Sequence, residues 1–435
     1  MRIEHLAMSA PGLIRQIVLV LLTLLLGVAA GLSALIGAAA ITDRPPLFVL
    51  AGLAAFCLVY LLALVLATRG IAPASRRRVR TFVFIAGAGA VAGAFALTAV
   101  RPLDDPRLPP ATVLGQRFWE LPTGSQIAYV RVPAAGNARP TPVIVLHGGP
   151  GVPDMKGDAE FFGRLARDGF DVYVYDQLGR GRSSRLGDPR GYTLERDVAD
   201  LEAIRRQIGA ERMVLIGHSY GGKLAAAYAA ANPEHLAKMV LSAPEDPAPT
   251  APSTSMLGRL SLREQLGVYA LLLQPRALLG YTLLQVNPQA AYAFAGDAEM
   301  DARFDRVYNR TRPALHCAGK PPGPPLSGLG FYAHYVRQSP ASPPHPDFLP
   351  ALAGQTIPAL VIKGRCDYLS WSSAMAYLTA LPDAQLVYLP GAGHNVYQDE
   401  PERFLAIVRA FLLDQPLPDP PYEGHLPPDD YEGPP

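Results

Sequence analysis

Three stretches near the start of the chain carry no charged side chain: Gln16–Thr42, Pro45–Thr68 and Thr81–Val100. Each is dominated by Leu, Val, Ala, Gly and Phe, and each is long enough for the ~20 residues that cross a bilayer as a helix. A cleaved signal peptide would account for the first stretch but not for the other two. The pattern therefore predicts a membrane anchor over residues 1–100, with spans at about 16–42, 45–68 and 81–100.

Beyond residue 100 the period changes. Phe118–Val132 reads as opening antiparallel strands around a turn at Pro122-Thr-Gly-Ser125. Short apolar runs follow at Thr141–Leu146, Phe170–Tyr175, Arg212–Ile216, Met239–Ala243, Pro358–Gly364 and Leu386–Leu389. Helical patterns such as Ala159–Asp168 and Thr193–Ile208 separate the early runs. This alternation predicts an α/β fold, a mostly parallel sheet with helices on both faces.

The interval 244–355 breaks the rhythm. It opens with a Pro/Ser/Thr stretch, Pro244–Ser255, continues with helical patterns over Ser261–Leu284 and Pro288–Asn309, and closes with Pro/Gly-rich sequence around Lys320–Pro325. It reads as a helical cap, or lid, inserted between core halves at 101–243 and 356–414. The tail, 415–435, holds eight prolines and five acidic residues without Lys or Arg, and is expected to be disordered and extended.

Composition adds direction more than class. With 435 residues, about 300 remain outside the anchor, enough for one sizeable core and its cap. A net charge of +2 gives no reason to expect a nucleic-acid partner. Arg69, Arg76, Arg77, Arg78 and Arg80 cluster between the second and third spans, whereas the first turn carries only Arg44 beside Asp43. The Arg-rich loop is expected on the cytoplasmic side, with Arg2, Arg15 and the N-terminus, next to anionic lipid. The third span then delivers the remainder to the extracytoplasmic face of a bacterial-type inner membrane, as the Ala/Gly/Pro/Arg-rich composition of a GC-rich genome suggests.

The chemistry is written most clearly at Gly217-His-Ser-Tyr-Gly221, between the apolar run Arg212–Ile216 and an Ala-rich helical stretch, Gly222–Ala231. A Gly-x-Ser-x-Gly turn between strand and helix strains the serine and exposes its hydroxyl, so Ser219 is the candidate nucleophile. Asp367 follows the strand Pro358–Gly364, and His394 ends Pro390-Gly-Ala-Gly-His394 after the strand Leu386–Leu389. Ser, acid and His in that chain order, each beyond the carboxyl end of a strand, predict a catalytic triad on an α/β-hydrolase fold. The oxyanion donors expected are the backbone N–H of Tyr220 and, from His147-Gly-Gly-Pro-Gly151, that of Gly149, with Gly148 as the less favoured choice. No Cys/His spacing suggests zinc, no Gly-rich loop suggests a phosphate cradle, and no cofactor or metal is expected.

His147-Gly-Gly-Pro-Gly151, Asp176-Gln-Leu-Gly-Arg-Gly-Arg-Ser183 and Gly217-His-Ser-Tyr-Gly-Gly222 together resemble the proline iminopeptidase family of α/β-hydrolases, over about residues 117–415. The family's elbow usually reads Gly-Gly-Ser-Trp-Gly-Gly, where this chain has His218 and Tyr220, and its second motif usually has Arg where Leu178 stands. These departures bear on strict N-terminal proline specificity and leave the hydrolase reading intact. The resemblance implies release of an N-terminal residue from small peptides or amides through an acyl-enzyme; the alternative substrate is a carboxylic ester, thioester or lipid-derived acyl group. It also implies cap carboxylates that bind a free α-amino group. Glu245 is the best-placed match, with Glu264, Asp297, Glu299, Asp301 and Asp305 as weaker ones, while Asp176 is expected to brace its loop.

Of the three cysteines, Cys57 lies in the second span, Cys317 in the cap and Cys366 beside Asp367. An oxidising compartment permits a Cys317–Cys366 disulfide, and two reduced buried thiols are the alternative. The lid aromatics Tyr292, Phe294, Phe304, Tyr308, Phe331, Tyr332 and Tyr335 are read as core, with the lining of an apolar pocket as the alternative.

Overall fold

The computed structural model describes residues 10–71, 73–102, 110, 112–149, 151–247, 255–342 and 344–435. Pro150 of the Gly-rich loop and residues 248–254 of the Pro/Ser/Thr stretch lie outside them. The chain divides into two units, the first made of residues 1–104, 273–296 and 339–341, the second of the rest.

The first unit opens with helices α1 (Ala10–Ala39), α2 (Pro45–Ala67) and α3 (Pro73–Phe95), the last running on in a wider turn to Val100. All three are long and apolar enough to cross a membrane. Small residues let α1 and α2 approach closely: a Cβ on Gly31 would sit 3.0 Å from Gly52 O, and one on Gly52 would sit 2.9 Å from Gly31 O. Tyr60 spans from α2 to α3, where its hydroxyl donates to Val83 O at 3.0 Å. The arginine cluster was expected in a loop. Arg76, Arg77, Arg78 and Arg80 instead form the opening turns of α3, because Pro73 starts the helix and arginine is a good helix former.

The second unit is built on an eight-stranded sheet: β1 (Arg117–Glu120), β2 (Gln126–Val132), β3 (Val143–Leu146), β4 (Val172–Tyr175), β5 (Met213–His218), β6 (Leu236–Ser242), β7 (Ala359–Cys366) and β8 (Ala384–Gly393). The spatial order is β1-β2-β4-β3-β5-β6-β7-β8. The pairs β1–β2 and β2–β4 are antiparallel, and every other pair is parallel. Strands β3 and β4 are buried at every residue, as expected of strands covered on both faces. Val143, Val145, Val174, Ile216, Val240, Leu360, Ile362 and Val387 supply the centre of that core. The order of the parallel strands leaves β5 near the middle, so the serine turn that follows it opens over the sheet rather than at an edge.

Helices α4 (Met155–Phe162), α5 (Leu194–Gln207) and α6 (Tyr220–Ala231) follow β3, β4 and β5. The cap supplies α7 (Leu262–Leu272), α8 (Pro275–Val286), α9 (Pro288–Phe294), α10 (Asp297–Thr311), α11 (Phe331–Tyr335) and α12 (Leu349–Leu352). Helix α13 (Trp371–Ala380) joins β7 to β8, and α14 (Val396–Asp399) and α15 (Pro401–Leu412) follow β8.

The cap is not one body, contrary to its expected extent. The hairpin α8–α9 belongs to the first unit and packs on α1–α3. Arg276 donates to Ala99 O at 3.1 Å and Val100 O at 2.9 Å, satisfying carbonyls at the end of the third apolar stretch. Asn287 does the same for Ala39 O at the end of α1, at 2.9 Å. Phe294 receives the Arg276 guanidinium over its ring, 4.4 Å from the centroid, and so belongs to this unit rather than to the catalytic one.

Cys317 and Cys366 are joined as a disulfide, which ties the end of the cap to β7. The tail is the second correction, since much of it is held in place. Tyr422 N donates to Leu386 O at 2.7 Å, Glu432 N to Arg365 O at 3.0 Å, and Trp371 N to Pro434 O at 2.8 Å. Trp371 stands between Tyr422 and Tyr431, at centroid distances of 5.4 and 5.3 Å. Pro and acidic content argued for disorder, but these aromatics bury apolar area, and the backbone covers the otherwise open edge strand β8.

Candidate active site

Ser219 adopts φ 53° and ψ −117°, a conformation that non-glycine residues rarely occupy. The turn is tight enough to require both flanking glycines. A Cβ on Gly217 would fall 2.2 Å from Gly221 O, and one on Gly221 would fall 2.0 Å from Leu146 O. Ser219 N donates to Ser242 O at 2.9 Å, and its carbonyl accepts from Gly222 N at 2.9 Å and Glu245 N at 3.0 Å. Strand β6 and the start of α6 thus hold the strained residue from both sides.

Asp367 and His394 converge from the ends of β7 and β8. His394 Nδ1 lies 2.8 Å from Asp367 Oδ1, and both side chains are almost wholly buried. Burial alone would raise the Asp367 carboxyl, but Lys363 and His394 together hold it well below the usual carboxylate range. An ionised Asp367 assigns the imidazole proton to Nδ1 and leaves Nε2 as the acceptor. Lys363, on β7, donates to Asp367 Oδ2 at 2.7 Å and to Leu369 O at 3.1 Å. A lysine inside an apolar strand was visible in the sequence, but nothing there placed its amine on the acid.

Ser219 and His394 line one cavity of about 230 Å³, together with His147, Gly148 and Gly149. The Gly148 backbone lies against Ser219, since a Cβ there would be 3.1 Å from Ser219 Cβ. Gly149 has φ +123°, and a Cβ on it would meet Gly151 N at 2.6 Å. Tyr220 opens α6, so its N–H is one of the unpaired donors at the positive end of that helix. Its hydroxyl is held by Asp197 at 2.8 Å. His147 anchors the glycine loop: its Nε2 accepts from Gln177 N at 3.1 Å, and its carbonyl accepts from Gln177 Nε2 at 2.9 Å. Burial, reinforced by Arg180, lowers the His147 imidazole to about 3, so it stays neutral. Asp176 sits in the neighbouring loop and accepts from Arg182 N at 2.8 Å.

Two further rings frame the base. His218 and Tyr368 lie 4.9 and 4.6 Å from the His394 ring, centroid to centroid. Burial first, then His394, pushes His218 down to about 3, so it adds no charge beside His394.

Glu245 is a correction. It does not line the cavity; its carboxylate pairs with Lys223 Nζ at 3.3 Å. The Glu245 backbone, not its side chain, reaches Ser219. The weaker cap candidates also lie outside the cavity lining. Glu264 caps its own helix through Ser261, Glu299 pairs with Arg303 at 2.9 Å, Asp301 pairs with Arg185 at 3.0 Å, and Asp305 accepts from Gly328 N and Leu329 N. The carboxylates that do line it are Asp154 and Asp158, which open α4, and the cap contributes Arg312 instead. Asp154 caps α4 through Gly157 N at 3.0 Å. Burial raises Asp158 well above the usual carboxylate range, and Tyr397 donates to it at 2.8 Å.

Residues 141–401 match the family described as the alpha/beta hydrolase fold. The chain is 38% identical over 104 residues to the proline iminopeptidase of Saccharolobus solfataricus, covering 23% of this chain and 32% of that protein. It is 37% identical over 124 residues to the proline iminopeptidase of Heyndrickxia coagulans, covering 28% and 41%. With the proline iminopeptidase of Lactobacillus delbrueckii subsp. bulgaricus it is 28% identical over 314 residues, covering 68% of this chain and 97% of that one. The first two matches thus span less than half of the relatives' own length.

Proposed function

The chain belongs to the α/β-hydrolase fold family, and from that premise we propose a membrane-anchored serine hydrolase that releases N-terminal residues from small peptides or amides. Ser219 Oγ attacks the scissile carbonyl while His394 Nε2 takes its proton, and Asp367 stabilises the resulting imidazolium. The Gly149 and Tyr220 N–H groups receive the oxyanion. The imidazolium protonates the departing amine, leaving an acyl-enzyme on Ser219. His394 then activates a water, and collapse of the second tetrahedral adduct frees the acid and restores the serine. The observation that carries the reading is the 2.8 Å His394–Asp367 contact, with His394 lining the same cavity as the strained Ser219.

The peptidase half rests on the relatives, all three of which are proline iminopeptidases. With Glu245 engaged by Lys223, Asp154 is the carboxylate we assign to a free amine, because Asp158 is held by the Tyr397 hydroxyl and burial raises its carboxyl well above the usual range. A second reading, an ester or other acyl hydrolase using the same triad, is favoured by the lack of any cap carboxylate on the cavity wall among the described residues. Prolyl and alanyl arylamides with free and with blocked N-termini, set beside short acyl esters, separate the two. Ser219-dependent cleavage that needs the free amine supports the peptidase, and ester turnover alone supports the other reading.

The three apolar helices support the anchor, and the arginines opening α3 support a cytoplasmic N-terminus with the catalytic unit on the extracytoplasmic side. The Cys317–Cys366 bond fits that oxidising face. A cysteine placed on the surface of the catalytic unit should react with an impermeant maleimide in cells whose inner membrane is intact. Protection from the reagent there would reverse the assigned orientation.

A further inference from the structure

Arg312 follows α10 in a short turn and lines the catalytic cavity, at 3% exposure. The other buried arginines of the second unit each meet a carboxylate: Arg180 meets Asp197, Arg205 meets Glu202 and Arg303 meets Glu299. Arg312 meets none among the described residues. One nitrogen of its fork, Nη1, donates to the carbonyls of Pro324 and Gly323, and Nε has no hydrogen-bond partner. Asp154 lines the same cavity without forming an ion pair with it. Tyr308, one helical turn earlier, lines the cavity too, and its hydroxyl makes no hydrogen bond among the described residues.

A buried guanidinium without an ion-pair partner is costly, and its remaining donor favours an anion. The carbonyls of the Pro/Gly-rich run hold Nη1 and Nε is buried, so Nη2, which has no hydrogen-bond partner among the described residues, is the donor left for a ligand. We infer that Arg312, with Tyr308 beside it, forms an anion subsite that holds a carboxylate of the substrate, so that the enzyme favours short acyl compounds or peptides bearing a free carboxylate remote from the scissile bond. For the peptidase reading this group is the C-terminal carboxylate of a small peptide; for the ester reading it is an acid on the acyl or leaving group. The inference rests on the Ser219 cavity being the substrate site, but not on which bond is cut.

Binding to the full-length Ser219→Ala chain in detergent micelles tests it without turnover. Isothermal titration would compare alanyl-phenylalanine with its C-terminal amide, and 4-phenylbutyrate with 4-phenylbutyramide. The acid of at least one pair is expected to bind 10-fold tighter or better. That advantage should shrink below 2-fold in Arg312→Met and survive in part in Arg312→Lys, with circular dichroism reporting that both variants fold. No preference for the acid in either pair, or a preference that survives Arg312→Met, overturns the subsite. If the peptide pair does not bind and is not cleaved by the wild-type chain while the phenylbutyrate pair still discriminates, the peptidase reading fails and the subsite stands.

Discussion

Lys363 Nζ stands 2.7 Å from one oxygen of Asp367, and His394 Nδ1 stands 2.8 Å from the other. Both members of the lysine–carboxylate pair are fully buried, so removing the cation leaves an uncompensated charge in the core. Breaking such a pair costs about 3–5 kcal/mol, which sets the expected loss for Lys363→Met. The Asp367 carboxyl is held below its unfolded value, so its contribution to stability is present above the usual carboxylate range and is lost as pH falls through the folded value. Without Lys363 that loss should begin at higher pH. Denaturant unfolding between pH 3 and 8 reads both effects, and a variant with wild-type stability across the range would show that the pair is neutral.

Asp176 carries the opposite sign. Burial pushes its carboxyl up to about 7, against the pull of the Arg182 N–H and of nearby arginines. Its favourable contribution is therefore complete below about pH 4 and fades as pH rises through 7. Raising the carboxyl that far corresponds to roughly 4 kcal/mol. Asp176→Asn keeps an acceptor for Arg182 N and cannot ionise, so it should gain on the wild type between pH 5 and 8. Melting curves at the two ends of that range test it, and a constant difference between the proteins would contradict it.

For Gly149 the expected result is kinetic. Alanine there must adopt φ near +123° and place a methyl 2.6 Å from Gly151 N, so the loop has to move. Losing one oxyanion donor costs about 10²–10³ in kcat. Gly149→Ala should show a fall of that order while Ser219 still reacts with a fluorophosphonate at a reduced rate. Wild-type kcat would remove Gly149 from the oxyanion assignment.

The cross-link between Cys317 and Cys366 closes a loop of 49 residues. In the chain-entropy account such a loop is worth about 4 kcal/mol, and native disulfides typically contribute 2–5. Replacing both cysteines with alanine should lower unfolding stability by that order and loosen the strand that carries Asp367. An unchanged unfolding midpoint in both oxidised and reduced samples would mean that the link constrains nothing.

The parts legible in the sequence were those set by local pattern. Ser219, Asp367 and His394 each follow a short apolar run, and buried parallel strands leave that signature in any chain. The charge-free stretches were equally plain, since a bilayer imposes length and apolarity on every residue of a span. What escaped depends on partners distant in sequence. The polar residue Lys363 reads as a defect in a strand until the loop after β7 folds back to offer Asp367. Glu245 looked free because its partner Lys223 lies 22 positions earlier on a helix. The hairpin α8–α9 has an ordinary cap composition, and only the docking of Arg276 and Asn287 onto helix-end carbonyls assigns it to the first unit. Arg312 was one arginine among many until it proved to form no ion pair among the described residues.

The tail offers the last test, because it touches the loop that carries the acid. Tyr431 donates its hydroxyl to Leu369 O at 2.6 Å, and the same carbonyl accepts from Lys363. Glu432 N reaches Arg365 O, and Trp371, at the start of α13, packs between two tail tyrosines. The tail therefore braces the loop between β7 and α13 from outside while Lys363 braces it from within. Tyr431→Phe removes one hydrogen bond and should cost about 1 kcal/mol with little effect on kcat. Ending the chain at Asp414 removes the whole brace and bares the edge of β8, so kcat should fall about tenfold or more and the protein should associate through that edge. Turnover and light scattering of the two variants, side by side, decide the matter. A truncated chain that stays monomeric with wild-type kcat would reduce the tail to a passive cover.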